Sequence, residues 1–159
     1  MPEAPAPPGP PPLRPFGLVL HHDGRWTHEG IPIANARLRA AFDRGVRFLP
    51  AESVFVVQLG RYRGQIEIEE AGFFVRSFAP ATGLVALSDG SEEVLAPGSL
   101  RVSTRDGALL CRVKRELVAA GLLARFSHAA QAQLLGAVEE GSDGPLLRIA
   151  GRGVRLPAL

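Results

Sequence analysis

Asp23-Gly24-Arg25-Trp26-Thr27-His28-Glu29-Gly30-Ile31-Pro32-Ile33 is the run from which the fold is read. Asp-Gly is a dipeptide that readily supplies the positive φ angles of a tight hairpin turn, so 16–22 and 25–28 are expected to pair as antiparallel strands around Asp23-Gly24. Pro32 holds Ile31 in extended geometry and sends the chain out of the hairpin toward a helix. Asn35 caps that helix over 35–45, where Leu38, Phe42 and Val46 recur at near-helical spacing among Arg37, Arg39, Asp43 and Arg44. Trp26 is the chain's single tryptophan. Its two readings are a residue that covers the hairpin and an aromatic anchor in a recognition surface.

Similar signals continue outward. Val54 to Leu59 is an apolar run suited to a buried strand, and Ile66 and Ile68 alternate with Glu67 and Glu69 as a half-buried strand does, with a turn from Gly60 to Gly64 between them. From Gly72 onward, strands are expected at 73–78, 84–87 and 92–95, the last two joined at Asp89-Gly90. If Asp106-Gly107 is a two-residue turn, Leu100 faces Val113, Val102 faces Cys111 and Thr104 faces Leu109, leaving Arg101, Arg105, Arg112 and Lys114 on a solvated basic side. Ser127 caps a second helix with an Ala130, Leu134 and Val138 stripe and Gly141 as its stop. Short strands at 146–150 and 153–156 close the chain. The pattern predicts an α+β fold of two similar halves, 16–71 and 72–159, each made of short antiparallel strands packed with one helix.

Residues 1–15 hold eight of the fourteen prolines, a composition that favours polyproline geometry and predicts a disordered tail. The 159 residues are 46% hydrophobic and 21% charged, ordinary for a globular domain with a real core. Seventeen arginines and one lysine, Lys114, are nearly balanced by sixteen acidic residues, leaving +2. That is too weak a field to favour a nucleic-acid partner. A lone cysteine, Cys111, excludes an intrachain disulfide and a cysteine-based zinc cage. With no signal-like or membrane-spanning apolar run, a cytoplasmic protein without membrane association is expected.

Three segments carry a family resemblance. Asp23 to Ile33, then Ile-Glu-Ile-Glu-Glu-Ala-Gly-Phe from Ile66 to Phe73, then Gly-Leu-Leu-Ala-Arg-Phe-Ser from Gly121 to Ser127 together resemble the bacterial domain-of-unknown-function family 1285, DUF1285, in order across roughly 17–157. The resemblance implies a two-part α+β protein with no established activity and suggests a role in ligand sensing or signalling. The sequence departs from the family pattern in four places: Glu70 replaces an Asp, Gly72 a Pro, Leu123 a Glu and His128 an Arg. A Thr-Pro-x-Glu run of the family has no counterpart. Glu29, Glu69 and Arg125 are the charged matches that survive.

Candidate chemistry is sparse. A two-residue turn would place His21 and His28 on one face near Trp26, but Glu29 then points to the other face and leaves no third ligand, so no metal is expected. Glu67 and Glu69 share a face as any exposed strand's residues do. No phosphate-cradling glycine loop is present, Ser91, Ser99 and Ser103 sit in no nucleophile elbow, and Cys111 falls on an apolar face as an inert thiol. No catalytic residue and no cofactor are expected. The function expected is a ligand- or partner-binding module in regulation or signalling, for an unknown small molecule or protein. The alternative is a small hydrolase-like enzyme using carboxylates in a cleft between the halves. Trp26, His28, Glu29, Glu69 and Arg125 are the expected ligand-binding residues, with Arg125 pairing a carboxylate from the other half and Trp26 as an apolar wall. Its rival is a structural Arg125–Glu29 ion pair with no ligand.

Overall fold

The computed structural model describes residues 15–159. The expected tail lies outside them except for Pro15, which begins the first strand rather than ending a tail. Strand β1 (Pro15–Leu20) pairs with β2 (Trp26–His28), which pairs with β3 (Ile31–Pro32). The turn after β1 is one residue longer than expected. His21 N–H donates to Arg25 O at 2.8 Å around a His22-Asp23-Gly24 loop, with Gly24 at φ 92°. A one-residue change of register swaps the faces of a strand. Leu18, Leu20 and Trp26 therefore point into the core, and His21 shares a side with Thr27 instead of with His28.

Helix α1 (Ala36–Gly45) follows, its Asn35 cap accepting from Leu38 N–H at 3.0 Å. Phe42 is its buried contact, whereas Leu38 is largely exposed. The chain then runs directly into β4 (Val46–Leu49), a strand with no sequence expectation behind it, and on to β5 (Val54–Leu59) and β6 (Tyr62–Ile68). The turn between β5 and β6 is the two residues Gly60-Arg61, shorter than the expected 60–64. These six strands form one sheet in the order β3-β2-β1-β6-β5-β4, closed by a parallel β1/β6 pair.

The second sheet repeats that order. Strands β7 (Phe73–Ala79), β8 (Leu84–Leu87) and β9 (Glu92–Val94) lead through a short 3-10 turn at Pro97–Ser99 to β10 (Arg101–Val102), β11 (Leu109–Val113) and β12 (Leu122–Phe126). Read from its far edge the order is β9-β8-β7-β12-β11-β10, again with first and last strands parallel. The helix, however, is displaced. In the first sheet it lies between the third and fourth strands. In the second, α2 (His128–Leu135) follows the last strand and packs on β7 and β12.

Further expectations are corrected in the second half. The Asp106-Gly107 turn is a four-residue loop, Thr104 to Gly107, closed by Ser103 N–H to Ala108 O at 2.7 Å, so Val102 pairs with Leu109. A shift of two keeps the alternation of each strand, and Cys111 stays fully buried, but Val102, expected on the core side, is exposed because β10 is the edge strand. The basic side is broken: Lys114 turns inward to Asp89 Oδ2 at 2.6 Å and Ser91 Oγ at 2.7 Å, and Arg105 turns toward Glu69 and Glu70. The second helix ends at the Gly136 cap, and Val138 belongs to β13 (Val138–Gly141), which with β14 (Gly144–Ile149) and β15 (Arg152–Arg155) makes a third, small sheet.

The result is an α+β protein of two similar halves around one continuous apolar core, which runs from Leu18 and Trp26 through Phe73 and Phe78 to Phe126 and Leu147. At the crossing from β6 to β7, Gly72 lies against the Phe55 ring, and a Cβ there would stand 2.5 Å from Phe55 Cε1. Glycine at this position lets the two sheets approach. Among the described residues no helix is long and apolar enough to cross a membrane.

Candidate functional site

Where β1 and β6 end side by side, Glu69 N–H donates to Leu20 O at 3.0 Å and sets the Glu69 carboxylate against the His21-His22 pair. His21 Nδ1 bonds Glu69 Oε2 at 3.0 Å, His22 Nδ1 bonds Oε1, and the His22 backbone N–H adds a third contact at 3.3 Å. The other ring nitrogen of His21, Nε2, hydrogen-bonds with Thr27 Oγ1 at 2.8 Å, so both ring nitrogens are engaged. These hydrogen bonds hold the Glu69 carboxyl at about 2, far below its ordinary 4.5.

The loop between β10 and β11 meets this group from the other half. Ser103 Oγ donates to Glu70 Oε2 at 2.8 Å, Arg105 lies 3.7 Å from Glu69 and 3.8 Å from Glu70, and Asp106 Oδ2 is 3.8 Å from His22 Nε2. Asp106 takes both ends of the Arg125 fork, at 3.0 and 2.6 Å, and that pairing holds its carboxyl at about 2. Arg125 Nη1 also stands 3.8 Å from Glu70 Oε1, a buried oxygen with no hydrogen bond among the described residues.

Beside this seam opens a cleft of about 440 Å³. Its walls include the Asp23-Gly24 loop and Asp43 from the first half, and Phe74, Arg76, the Asp106 to Ala108 loop, Arg125 to His128 and Gln131 from the second. Because Arg125 pairs with Phe74 across the parallel β12/β7 register, Phe74, Arg76 and Arg125 project from one side of the sheet. Arg76 donates to Asp43 Oδ2 at 2.8 Å and lies 5.8 Å from the centre of the Phe74 ring. Asp43 Oδ1 in turn accepts from Trp26 Nε1 at 2.8 Å.

The five expected site residues are dispersed. Glu69 and Arg125 belong to one network, linked through His22 and Asp106 and through Arg105 and Glu70. Trp26 is 1% exposed, packed against Phe42 at 5.3 Å between ring centres, and reaches the cleft through Asp43. His28 and Glu29 sit at the opposite end of the hairpin, where Glu29, at φ 50°, forms the turn between β2 and β3 and donates its N–H to Gly17 O at 2.9 Å. The Arg125–Glu29 pair does not form. Asp43, Arg76, Asp106 and Gln131 carry no sequence signal that sets them apart from ordinary surface polar residues. Of the family departures, Glu70 joins the network, Gly72 makes the close crossing, Leu123 lies opposite Arg112 in the β11/β12 ladder and exposed His128 borders the cleft. Among the described residues no group of three or more His, Cys, Asp or Glu is placed to hold a metal ion.

Fold and site together define a class: two α+β halves of one strand order with an ion-paired polar cleft at their seam. Two solved structures share that fold, both of DUF1285 family proteins. The protein from Silicibacter pomeroyi DSS-3 superposes with a TM-score of 0.60 at 19% sequence identity, covering 95% of this chain and 89% of its own. The protein from Shewanella baltica OS155 gives a TM-score of 0.51 at 14% identity, covering 77% of this chain and 91% of its own. No protein-family model and no curated protein matches the sequence.

Proposed function

We propose that this protein is a regulatory module that binds a small molecule in the cleft between its halves. The observation that carries the reading is the cleft itself: about 440 Å³, within the range of small-molecule sites, and walled by loops from both halves. Arg76–Asp43 and Arg125–Glu70 join one half to the other at its edge, as does the approach of His22 to Asp106. A ligand touching these groups alters how the halves are held, which is what a sensor requires. Glu69 is held between His21 and His22, and Asp106 by the Arg125 fork, so both carboxylates serve as pairing groups, which favours binding over the hydrolase-like alternative. The single cysteine, buried as a thiol, suits a reducing cytoplasmic setting.

Native mass spectrometry of the protein purified from its own cells tests the reading. A retained small molecule that is absent from an Ala108→Trp variant, in which the indole fills the cleft, is the expected result. Retention by both forms would place the ligand elsewhere and refute the assignment.

A further inference from the structure

We infer that the molecule taken by the cleft is a small oxyanion, a carboxylate or phosphate monoester on a short apolar body, with Arg76 as its principal contact. This rests on the cleft being a binding site. It follows from which hydrogen-bonding groups along the walls are already engaged.

Each carboxylate on the walls is already ion-paired. Asp23 accepts from Arg25 N–H at 3.2 Å and Arg25 Nε at 2.7 Å. Asp43 has Trp26 on one oxygen and Arg76 on the other. Asp106 has the Arg125 fork on both oxygens and Ala108 N–H at 3.2 Å on Oδ1. A cationic ligand would therefore meet carboxylates whose charge is already matched by a guanidinium.

The donors are only partly engaged. A guanidinium carries five N–H groups. Arg76 gives one to Asp43, and its side chain is 49% exposed. Gln131 uses its carbonyl oxygen on Leu109 N–H at 3.4 Å, while its amide NH₂ makes no hydrogen bond among the described residues. What the cleft has to offer is therefore donors, and the complementary ligand is an acceptor.

Two features make Arg76 the anchor instead of Arg125. Its fork is steadied from behind by Asp43, itself held by the buried Trp26, so one N–H bond fixes the group and leaves the others outward. Arg125 is only 13% exposed and is committed to Asp106 through both terminal nitrogens. Phe74, Phe126 and Ala108 supply apolar surface for the body of the ligand. The first turn of α2, which starts at the cleft behind Ser127, carries no acidic residue to repel an anion.

The test titrates isotopically labelled full-length protein with phenyl phosphate, benzoate and benzylamine, probes with similar rings and opposite head-group charge, and follows the backbone amides of Ala108, Phe126 and Gln131. The expected result is that phenyl phosphate or benzoate binds at least about tenfold more tightly than benzylamine, that the preferred one of the two names the oxyanion, and that Arg76→Gln weakens it at least about tenfold while Arg76→Lys weakens it less. Arg76→Gln removes a half-exposed ion pair and a contact over the Phe74 ring, Arg76→Lys keeps the charge, and both leave the packing of the core in place. Benzylamine binding as tightly as the anions, or Arg76→Gln leaving anion affinity within about twofold, would overturn the oxyanion assignment while keeping the cleft as a site. If none of the three probes moves those amides, the cleft is not a site and the underlying reading falls with it.

Discussion

Gly72→Ala is the substitution whose cost is most directly legible from the structure. The new Cβ would lie 2.5 Å from Phe55 Cε1, 3.0 Å from Cζ and 3.1 Å from Cδ1. Carbon atoms pack at about 3.5–4.0 Å, so the ring has to retreat by roughly 1 Å. Its retreat is obstructed, because Phe48 and Phe73 flank it with ring centres at 5.0 and 6.1 Å. Overpacking of this kind costs about 1–3 kcal/mol. At about 2–4 °C per kcal/mol for a domain of this size, the melting temperature should fall by about 2–12 °C. A second background separates the clash from any general effect of the methyl group. In Phe55→Leu the two closest ring atoms, Cε1 and Cζ, are gone, and since Gly72 does not adopt a positive φ, the same Gly72→Ala change should cost much less or become stabilising by about 0.4–1 kcal/mol through the unfolded chain. Calorimetric melts of the four proteins give the coupling. An equal loss in both backgrounds would refute the close contact between the β6–β7 crossing and β5.

Glu69 carries a pH signature: its folded value is the depressed one, so its stabilising contribution is complete above the ordinary value of 4.5 and lost as pH falls from there toward 2. Glu69→Gln should flatten the acid limb of the stability profile in that window, and an unchanged limb in acid titrations would contradict the His21-Glu69-His22 arrangement. Lys114→Met leaves Asp89, 8% exposed, with only its two Ser91 hydrogen bonds and should cost about 1.5–3 kcal/mol in urea unfolding, and an unchanged midpoint would contradict the inward Lys114. Burial pushes the Cys111 thiol up to about 12, so native protein should react with thiol reagents only as fast as it unfolds, and fast labelling would contradict the packing of β11.

Local chemistry was readable from the chain where it is self-contained. Asn35 and Ser127 cap the two helices through their own side chains, and Val54–Leu59 is a strand because its apolar run belongs in a sheet interior. The Asp-Gly pairs mark turns but not their lengths. The dipeptide secures a positive φ at its glycine, while the number of residues spanned depends on which strand positions the distant core accepts. Leu20 and Trp26 entering that core is what makes the first loop three residues long. The parallel strand pairs had no local signal, since no single crossover helix announces them. The seam was harder still: Asp43 meeting Arg76, and Asp106 meeting Arg125, is decided by sheet placement, and in sequence each is one more charge on a turn, helix or strand. Trp26 stood out as unusual, yet its rarity did not say that the indole would be buried and act through Asp43.

The parallel pairing within each half has a consequence for how the chain folds. Leu20 finds its partner only when Ile68 has been made, and Phe73 only when Ala124 has. Each half is thus two three-stranded pieces that stay open along a central edge until their last strand arrives, so its decisive contacts are of high contact order and the apolar edges of β1 and β7 wait uncovered during synthesis. Refolding should be slow for a protein of this length, and a chain stopped just before β6 or β12 would present an unpaired central strand to its neighbours, the arrangement most prone to edge-to-edge association.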